Sequence, residues 1–488
     1  MPIPKPKQLF WLYFLCLAGS STLKGQQKDL YNYQDLSAFY YKKQEDSLKK
    51  AWICPDNYKD KATQKQFKAI WEERTTFFAD AIDGNNYVYD KEICAYLNDV
   101  VTQIQEGNKN YLPVKPFVVL DRSAAVNAYA IGGNVLAINL GLISFAKTRE
   151  EIALTIAHEL SHNILQHPEN AMKKRAEWLT SADYKQSMGQ VLESDYGRLT
   201  RLKKVYENYS FSRSRHQRYH EGDADSLAII LLNNSHISFA PEFFLRMDSA
   251  DIQYLQPLQQ PLKSYFGNYN IALEETWTKK RSKGLSTRDY DFQNSSSMAD
   301  SLKTHPDCVV RYNNTVARKT VDGASTPIPQ RISTKVNRML IWNMYCNKDL
   351  TPCLYRIMQE KDKGNTDAWY DFMFNNVMMS LYKADKDLHR SSTIDIQRKE
   401  YISKEYYQLQ TMLEQIPRDK LAEGCRQLQN AAFWSNVTPA EKAMQGFQRS
   451  LVLADNKDAA SSQQLAKQFM ESNKTSLYCE YVHPFEKR

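Results

Sequence analysis

Residues 148–168 read TREEIALTIAHELSHNILQHP, and the interpretation of the whole chain depends on this stretch. Thr148 with Glu151 three positions later has the pattern of a capping box, in which two side chains satisfy the amides of a first helical turn. Apolar residues then recur every four positions as far as Ile164, which predicts a helix with one buried face. Pro168 cannot continue the hydrogen-bond ladder, so the pattern predicts a helix of roughly five turns.

The predicted helix carries the motif HExxH at His158, Glu159 and His162. A spacing of four places both imidazoles on one helical face, where they can bind a single Zn²⁺ ion. Glu159 then lies beside the ion and can take a proton from a metal-bound water. A chance occurrence is the alternative, but the position of the motif within a capped amphipathic helix favours a metal site.

Composition describes an ordinary globular chain of 488 residues with a targeting segment at its start. The formal net charge of +8 is mild and dispersed, which argues against nucleic acid as a partner. Residues 9–18, LFWLYFLCLA, follow two lysines and precede small and polar residues, the pattern of a secretory signal peptide over residues 1–25. An uncleaved signal anchor is the alternative to this interpretation.

No other run approaches the roughly 18–20 apolar residues of a membrane-spanning helix. We therefore expect an exported protein, periplasmic, secreted or peripherally associated with the cell envelope, with no transmembrane segment once the signal has been removed.

Around the metal helix the chain predicts an α+β fold, mainly helical with a small β-sheet. Residues 26–87 are predicted to form a helical N-terminal extension. Residues 116–120, PFVVL, predict a buried strand, and residues 127–140, NAYAIGGNVLAINL, predict a hairpin around paired glycines. An edge strand of such a hairpin can hold an extended peptide by backbone pairing, although a hairpin that only packs the core is equally consistent.

Residues 218–232, RYHEGDADSLAIILL, provide the best third ligand. Glu221 and Asp225 are four positions apart and so share one face of a predicted helix. The pair suits a ligating carboxylate and a second carboxylate that holds a ligand histidine by its other ring nitrogen. An acidic first turn that complements the helix dipole is the alternative, but with an HExxH motif in the same chain Glu221 is favoured as a ligand.

The C-terminal third has a different composition. Turn-forming residues mark residues 321–334 as a linker, and helical spacing then predicts an all-helical domain over residues 335–488. Stacked helical hairpins of the tetratricopeptide kind are one option for this domain, although no clean repeat near 34 residues is present.

The motifs NAYAIGG, GLISF, HELSH, EGDAD and THPDCVVR stand in the order found in the CAAX-prenyl-protease/HtpX-like family of zinc metallopeptidases, which are gluzincins. Residues 88–320 resemble this family, which implies a zincin-like metallopeptidase domain. The chain as a whole is similar to a soluble, exported member. The resemblance implies one zinc ion per chain, bound by His158, His162 and Glu221, with Glu159 as the catalytic base.

The same resemblance assigns further residues. It places Asp225 behind the ligands, matches His305, Pro306 and Arg311 to an HPxxxxR element, and makes one strand pair with substrate, at Asn127, Ala128, Tyr129 and Ala130. The chain departs from the usual E-x-E-A-D motif at Asp223.

These observations predict a zinc metalloendopeptidase that hydrolyses protein or peptide substrates, in quality control or processing of envelope proteins. His305 is expected to assist catalysis or regulate it, with Tyr219 and His220 as other possible donors to the oxyanion. A plug of the open zinc position is the favoured form of this role, and a histidine that only braces its loop is the alternative. The alternative function is a chaperone or adaptor that binds clients through the C-terminal domain, but an intact Glu159 argues against a dead enzyme.

Overall fold

The computed structural model describes residues 40–194, 196–247, 250, 256–279, 308–319, 325–397, 399, 402–453 and 461–486, with residues 206–219 described in their backbone only. The predicted signal peptide and His305 lie outside these residues. The strands within them are β1 (Phe117–Asp121), β2 (Ala128–Gly132) and β3 (Val135–Asn139). The helices are α1 (Lys42–Ala51), α2 (Lys61–Asp83), α3 (Lys91–Gly107), α4 (Leu140–Phe145), α5 (Arg149–Ile164), α6 (His167–Thr180), α7 (Ala182–Glu193), α8 (Arg198–Asn234), α9 (Glu242–Met247), α10 (Leu262–Gly267), α11 (Cys308–Thr315), α12 (Gln330–Cys346), α13 (Leu350–Asp362), α14 (Ala368–Lys386), α15 (Lys404–Gln415), α16 (Arg418–Gln429), α17 (Pro439–Val452), α18 (Ser462–Ser472) and α19 (Cys479–Glu486).

The small sheet has the order β1-β3-β2, with β3 parallel to β1 and antiparallel to β2. The predicted hairpin is therefore present, and its turn uses positive φ angles at Gly132 (93°), Gly133 (57°) and Asn134 (67°). Side chains with a Cβ rarely adopt such angles, and for this reason two glycines and an asparagine stand there. Strand β2 lies at an edge of the sheet, next to α5.

Helix α5 begins as predicted and ends earlier than predicted. The capping box is formed: the Glu151 amide donates to the Thr148 hydroxyl, and the Thr148 amide donates to the Glu151 carboxylate, each at 3.3 Å. The helix ends at Ile164, and Gln166 has a left-handed φ of 54°. Pro168 therefore does not end α5; it lies in the first turn of α6, where proline is tolerated because that amide has no helical partner.

Helix α8 is 37 residues long and packs along α5. Its apolar second half packs into the core, with Ala228, Leu231 and Leu232 fully enclosed. Between the metal helix and EGDAD the structure has α6, α7 and the first half of α8, which continues unbroken into the EGDAD segment. The packing of α8 on α5 brings EGDAD against HExxH.

The C-terminal helices share a hydrophobic core with the region that precedes them. One cluster of buried side chains includes Ile156 of α5, Leu136 of β3, Trp342 of α12 and Tyr478 next to α19. Helix α12 begins at Gln330, within the range expected to be a linker, because Pro329 directly precedes it and fixes the backbone at the helix start.

The residues before α12 pair with the start of the metal helix. Arg149 donates its amide to the Thr326 carbonyl at 2.8 Å, and Ile328 donates to the Lys147 carbonyl at 3.1 Å. Thr148 and Pro327 form an isolated antiparallel bridge. The described part of the predicted linker therefore forms backbone hydrogen bonds with the start of α5. Independent folding of the two predicted domains stays a prediction.

No helix within the described ranges is long and apolar enough to cross a membrane.

Candidate metal centre

Three donor groups from α5 and α8 converge below the surface. The Nε2 atoms of His158 and His162 are 3.1 Å apart. A carboxylate oxygen of Glu221 lies 3.2 Å from the first nitrogen, and its other oxygen lies 3.5 Å from the second. A tetrahedral Zn²⁺ ion with bonds of about 2.0–2.2 Å holds its donors about 3.3–3.6 Å apart. The three groups therefore fit one such ion with small adjustments.

Behind these donors, Asp225 orients His158. Its Oδ1 atom lies 2.8 Å from His158 Nδ1, one helical turn from Glu221. Arg311 of α11 donates to both oxygens of Asp225, through Nη2 at 2.5 Å and Nε at 2.8 Å, and its guanidinium stacks on the ring of Phe244 at 4.3 Å. This chain of contacts leaves His158 Nε2 directed at the metal position.

The pKa values of the two histidines are shifted in opposite directions. Burial and the charge of Arg311 lower the pKa of His158, but its bonds to Asp225 and Glu221 outweigh both and raise that pKa to about 9. Burial and the neighbouring His158 lower the pKa of His162 to about 3. The carboxylates of Asp225 and Glu221 therefore favour a positive charge at this position, and His162 offers an unprotonated nitrogen beside it. Binding of a divalent cation requires both features.

Glu159 lies between the metal donors and the edge strand. Its carboxylate is buried, and one oxygen accepts the backbone amide of Ala130 at 3.0 Å. A carboxylate oxygen of Glu159 lies within 4.8 Å of donor atoms of both His158 and His162. Strand β2 therefore fixes the orientation of this carboxylate beside the metal position.

The predicted substrate strand presents two of its four residues to the open edge. The Asn127 carbonyl accepts the Asn139 amide of β3, and backbone groups alternate in direction along a strand. Asn127 and Tyr129 therefore turn their backbone groups toward β3, whereas Ala128 and Ala130 turn theirs toward the open edge. The bond from Ala130 to Glu159 agrees with this alternation.

A further histidine, which the sequence analysis did not single out, contacts the site. His167 begins α6, and its Nδ1 atom lies 2.7 Å from Nδ1 of His162. Burial and the neighbouring His220 lower the pKa of His167 to about 4. The only signal in the sequence was a third histidine shortly after HExxH, and the left-handed turn at Gln166, which brings it back, has no sequence signature.

The remaining predicted residues divide as follows. Arg311 contacts Asp225, whereas His305 lies outside the described residues. The roles that the resemblance implies for both residues stay predictions. The side chain of Tyr219 also lies outside them. His220 is described and half-buried, and its ring contacts that of His167 with centroids 4.2 Å apart.

Residues 94–319 match the model of Peptidase family M48. No curated protein matches the chain significantly. The matched range contains every site residue named above, from Asn127 to Arg311. It confirms the predicted family resemblance and the mainly helical α+β fold.

Proposed function

We propose that residues 94–319, a metallopeptidase domain of Peptidase family M48, form a zinc-dependent endopeptidase that cleaves protein or peptide substrates. Family membership supports a metal-dependent peptidase. Zinc as the metal, internal cleavage and the cellular role are proposals. The observation that carries the zinc-dependent activity is the convergence of His158, His162 and Glu221 within 3.1–3.5 Å of one another.

His158 and His162 would hold the ion through Nε2, and Glu221 through its carboxylate. Two imidazoles and one carboxylate are a donor set found in catalytic zinc sites, which keep one position open. Bound there, zinc would supply Lewis acidity, activating a water molecule and polarising the scissile carbonyl. The pairing of Asp225 with His158 keeps the ligating nitrogen unprotonated once the ion is in place.

Glu159 is the base in this proposal. Its carboxylate is close enough to the donors to accept a proton from the attacking water and to return it to the leaving amine. The amide of Ala130 holds one of its oxygens at 3.0 Å, so the carboxylate needs little reorganisation during the reaction. Because Glu159 is buried between α5 and β2, few other water molecules can reach its carboxylate.

Strand β2 would bind the substrate as an added strand. Ala128 and Ala130 direct backbone groups to the open edge of the sheet, and an extended peptide can pair with such groups irrespective of its side chains. The amide of Ala130 also contacts Glu159, so a peptide on this edge would lie beside the base. Backbone pairing supports cleavage within extended or unfolded segments.

We also propose that the protein is exported and acts on envelope proteins. The charged and apolar pattern at residues 1–25 supports this proposal. Fractionation of cells should recover a shortened chain outside the cytosol. Full-length chain in the cytosol would contradict export without affecting the proposed chemistry.

The decisive experiment replaces the base. Glu159→Gln keeps the shape of the side chain and its contact with Ala130, but cannot accept the proton, so kcat should fall by about 10²–10⁴-fold. Bound zinc and the melting temperature should stay unchanged. The assay is cleavage of unfolded casein, blocked by EDTA and restored by one equivalent of zinc, with the exposed Glu471→Gln as control.

Equal cleavage by Glu159→Gln and wild type would overturn the assignment of the base. Client binding without any cleavage by the wild type would support an adaptor in place of a peptidase.

A further inference from the structure

Three more side chains with metal-binding atoms lie next to the site. His167 begins α6, and His220 and Asp223 lie three positions apart on α8. One donor atom of each lies within 4.8 Å of the others. Imidazole and carboxylate are common ligands of Zn²⁺. Ligand pairs with the same i, i+3 spacing as His220 and Asp223 occur in the di-metal sites of helical bundles. We propose that His167, His220 and Asp223 form a second divalent-cation site, which takes Zn²⁺ supplied in excess.

This second site should bind more weakly than the first. Asp223 is exposed and both histidines are half-buried, so water competes for the same donors. The first site fills at low free zinc and the second only at higher free zinc.

The two sites share a proton at the contact between His162 and His167. If His162 binds zinc through Nε2, as in the proposed function, its single N–H is on Nδ1. That hydrogen points at Nδ1 of His167, 2.7 Å away, so His167 must accept there and carry its own N–H on Nε2. In this state neither nitrogen of His167 can coordinate a second ion.

Binding of the second ion therefore disrupts the bond that orients His162. For His167 to coordinate through Nε2, its proton must move to Nδ1, where it would face the N–H of His162. If His167 instead coordinates the ion through Nδ1, that nitrogen can no longer accept the hydrogen bond from His162. Either way His162 loses its partner, so filling the second site lowers activity and weakens zinc at the first. Excess zinc should inhibit this peptidase through His167.

The test measures zinc content of the mature full-length chain after equilibrium dialysis against a series of free-zinc concentrations. Wild type should bind one ion at low and a second at high free zinc, with activity falling as the second binds. Asp223→Asn should keep the first ion and full activity, and should lower affinity for the second by at least about tenfold. Asp223→Glu, which retains a carboxylate, should keep both ions.

Controls separate the second site from general binding to histidines. His236→Ala removes an exposed histidine at the end of α8 and should leave both ions in place. His167→Asn offers an oxygen to His162 but no imidazole, so it should keep the first ion and lose the second. The inference is overturned if wild type binds only one ion, if Asp223→Asn binds the second unchanged, or if His236→Ala abolishes it. Absence of the first ion from wild type would overturn the proposed function instead.

Discussion

Arg311 and Arg122 are both paired with carboxylates below the protein surface, but they lie in different regions of the molecule. Arg311 of α11 binds both oxygens of Asp225, which in turn contacts His158. Arg122, just after β1, binds Glu480 of α19 and the side-chain oxygen of Asn343. The first pair supports a metal donor, and the second joins the sheet to the C-terminal helices.

The difference lies in where each network ends. The network of Arg311 ends at His158 Nε2, an atom available to a ligand, so a change there should alter zinc affinity. The network of Arg122 ends in the protein: the Trp342 indole donates to Glu480 at 2.8 Å, and Asn343 donates to the Arg122 carbonyl at 3.0 Å. A change there should alter folding stability. Ion pairs of similar chemistry, one buried and one partly buried, thus support the candidate metal centre in one region and docking in the other.

The largest expected effect comes from removing the docked region. A chain that ends at Ala324 loses the strand-like contact to Thr148 and the helices that complete the shared core, and should fail to fold. Circular dichroism should show no cooperative thermal transition, and adding residues 325–488 as a separate chain should restore one. A truncated chain that melts cooperatively with zinc bound would show two independent domains, as the sequence predicts.

The next effect should follow from breaking the docking pair. Arg122→Met leaves the carboxylate of Glu480 without its cation in a mostly buried position, so the free energy of unfolding should fall by about 3 kcal/mol. Urea unfolding of Arg122→Met, Glu480→Gln and the double variant would isolate the pair. Zinc affinity of the folded protein should be unchanged. Lower zinc affinity would erase the distinction between the two regions.

The corresponding change in the metal region is Asp225→Asn. An amide is a weaker partner for His158 and Arg311, so zinc affinity should fall by about 10–100-fold, equivalent to about 1.4–2.8 kcal/mol. Competition with a chromogenic chelator at low free zinc measures this loss. Asp223→Asn, on the same helix but away from His158, is the matched control and should retain wild-type affinity. Equal affinities in the two variants would contradict the role of Asp225.

The smallest effect is expected where the two regions meet. Thr148→Val removes the cap of the metal helix and should cost about 1 kcal/mol of unfolding free energy. Thr438→Val removes the same capping box from α17 in the C-terminal region and should cost a similar amount. Neither should change activity per zinc-loaded molecule. A specific loss of activity in Thr148→Val would mean that the cap also positions HExxH.

Much of the candidate site could be predicted from the sequence because its residues follow helical spacing. The i, i+4 pairs His158/His162 and Glu221/Asp225 each place two side chains on one face of their helix, and capping at Thr148 located the start of α5. The hairpin was equally local, since glycines at its turn mark a positive φ. These predictions depend on interactions within a few residues, which sequence patterns record directly.

Other features depend on contacts between distant segments. The partner of Arg311 and the amide of Ala130 on Glu159 join segments 86 and 29 positions apart, and no local pattern specifies them. His167 meets His162 only five positions away, but through a left-handed turn at Gln166 that has no sequence signature. The C-terminal end of α5 and the start of α12 were misplaced for a related reason. Proline can begin a helix as well as end one, and only the packing decides between these uses.

The sequence by itself predicted the candidate ligand set and base, and it determined the helical character and the edge-strand hairpin, because helix and turn periodicity arise from local backbone geometry. The tertiary structure alone decided that the C-terminal helices complete the core of the peptidase region and that a third histidine faces the site. The physical reason is that burial and side-chain pairing depend on which surfaces meet. Residues such as Arg122 and Glu480, 358 positions apart, acquire a partner only in the folded chain.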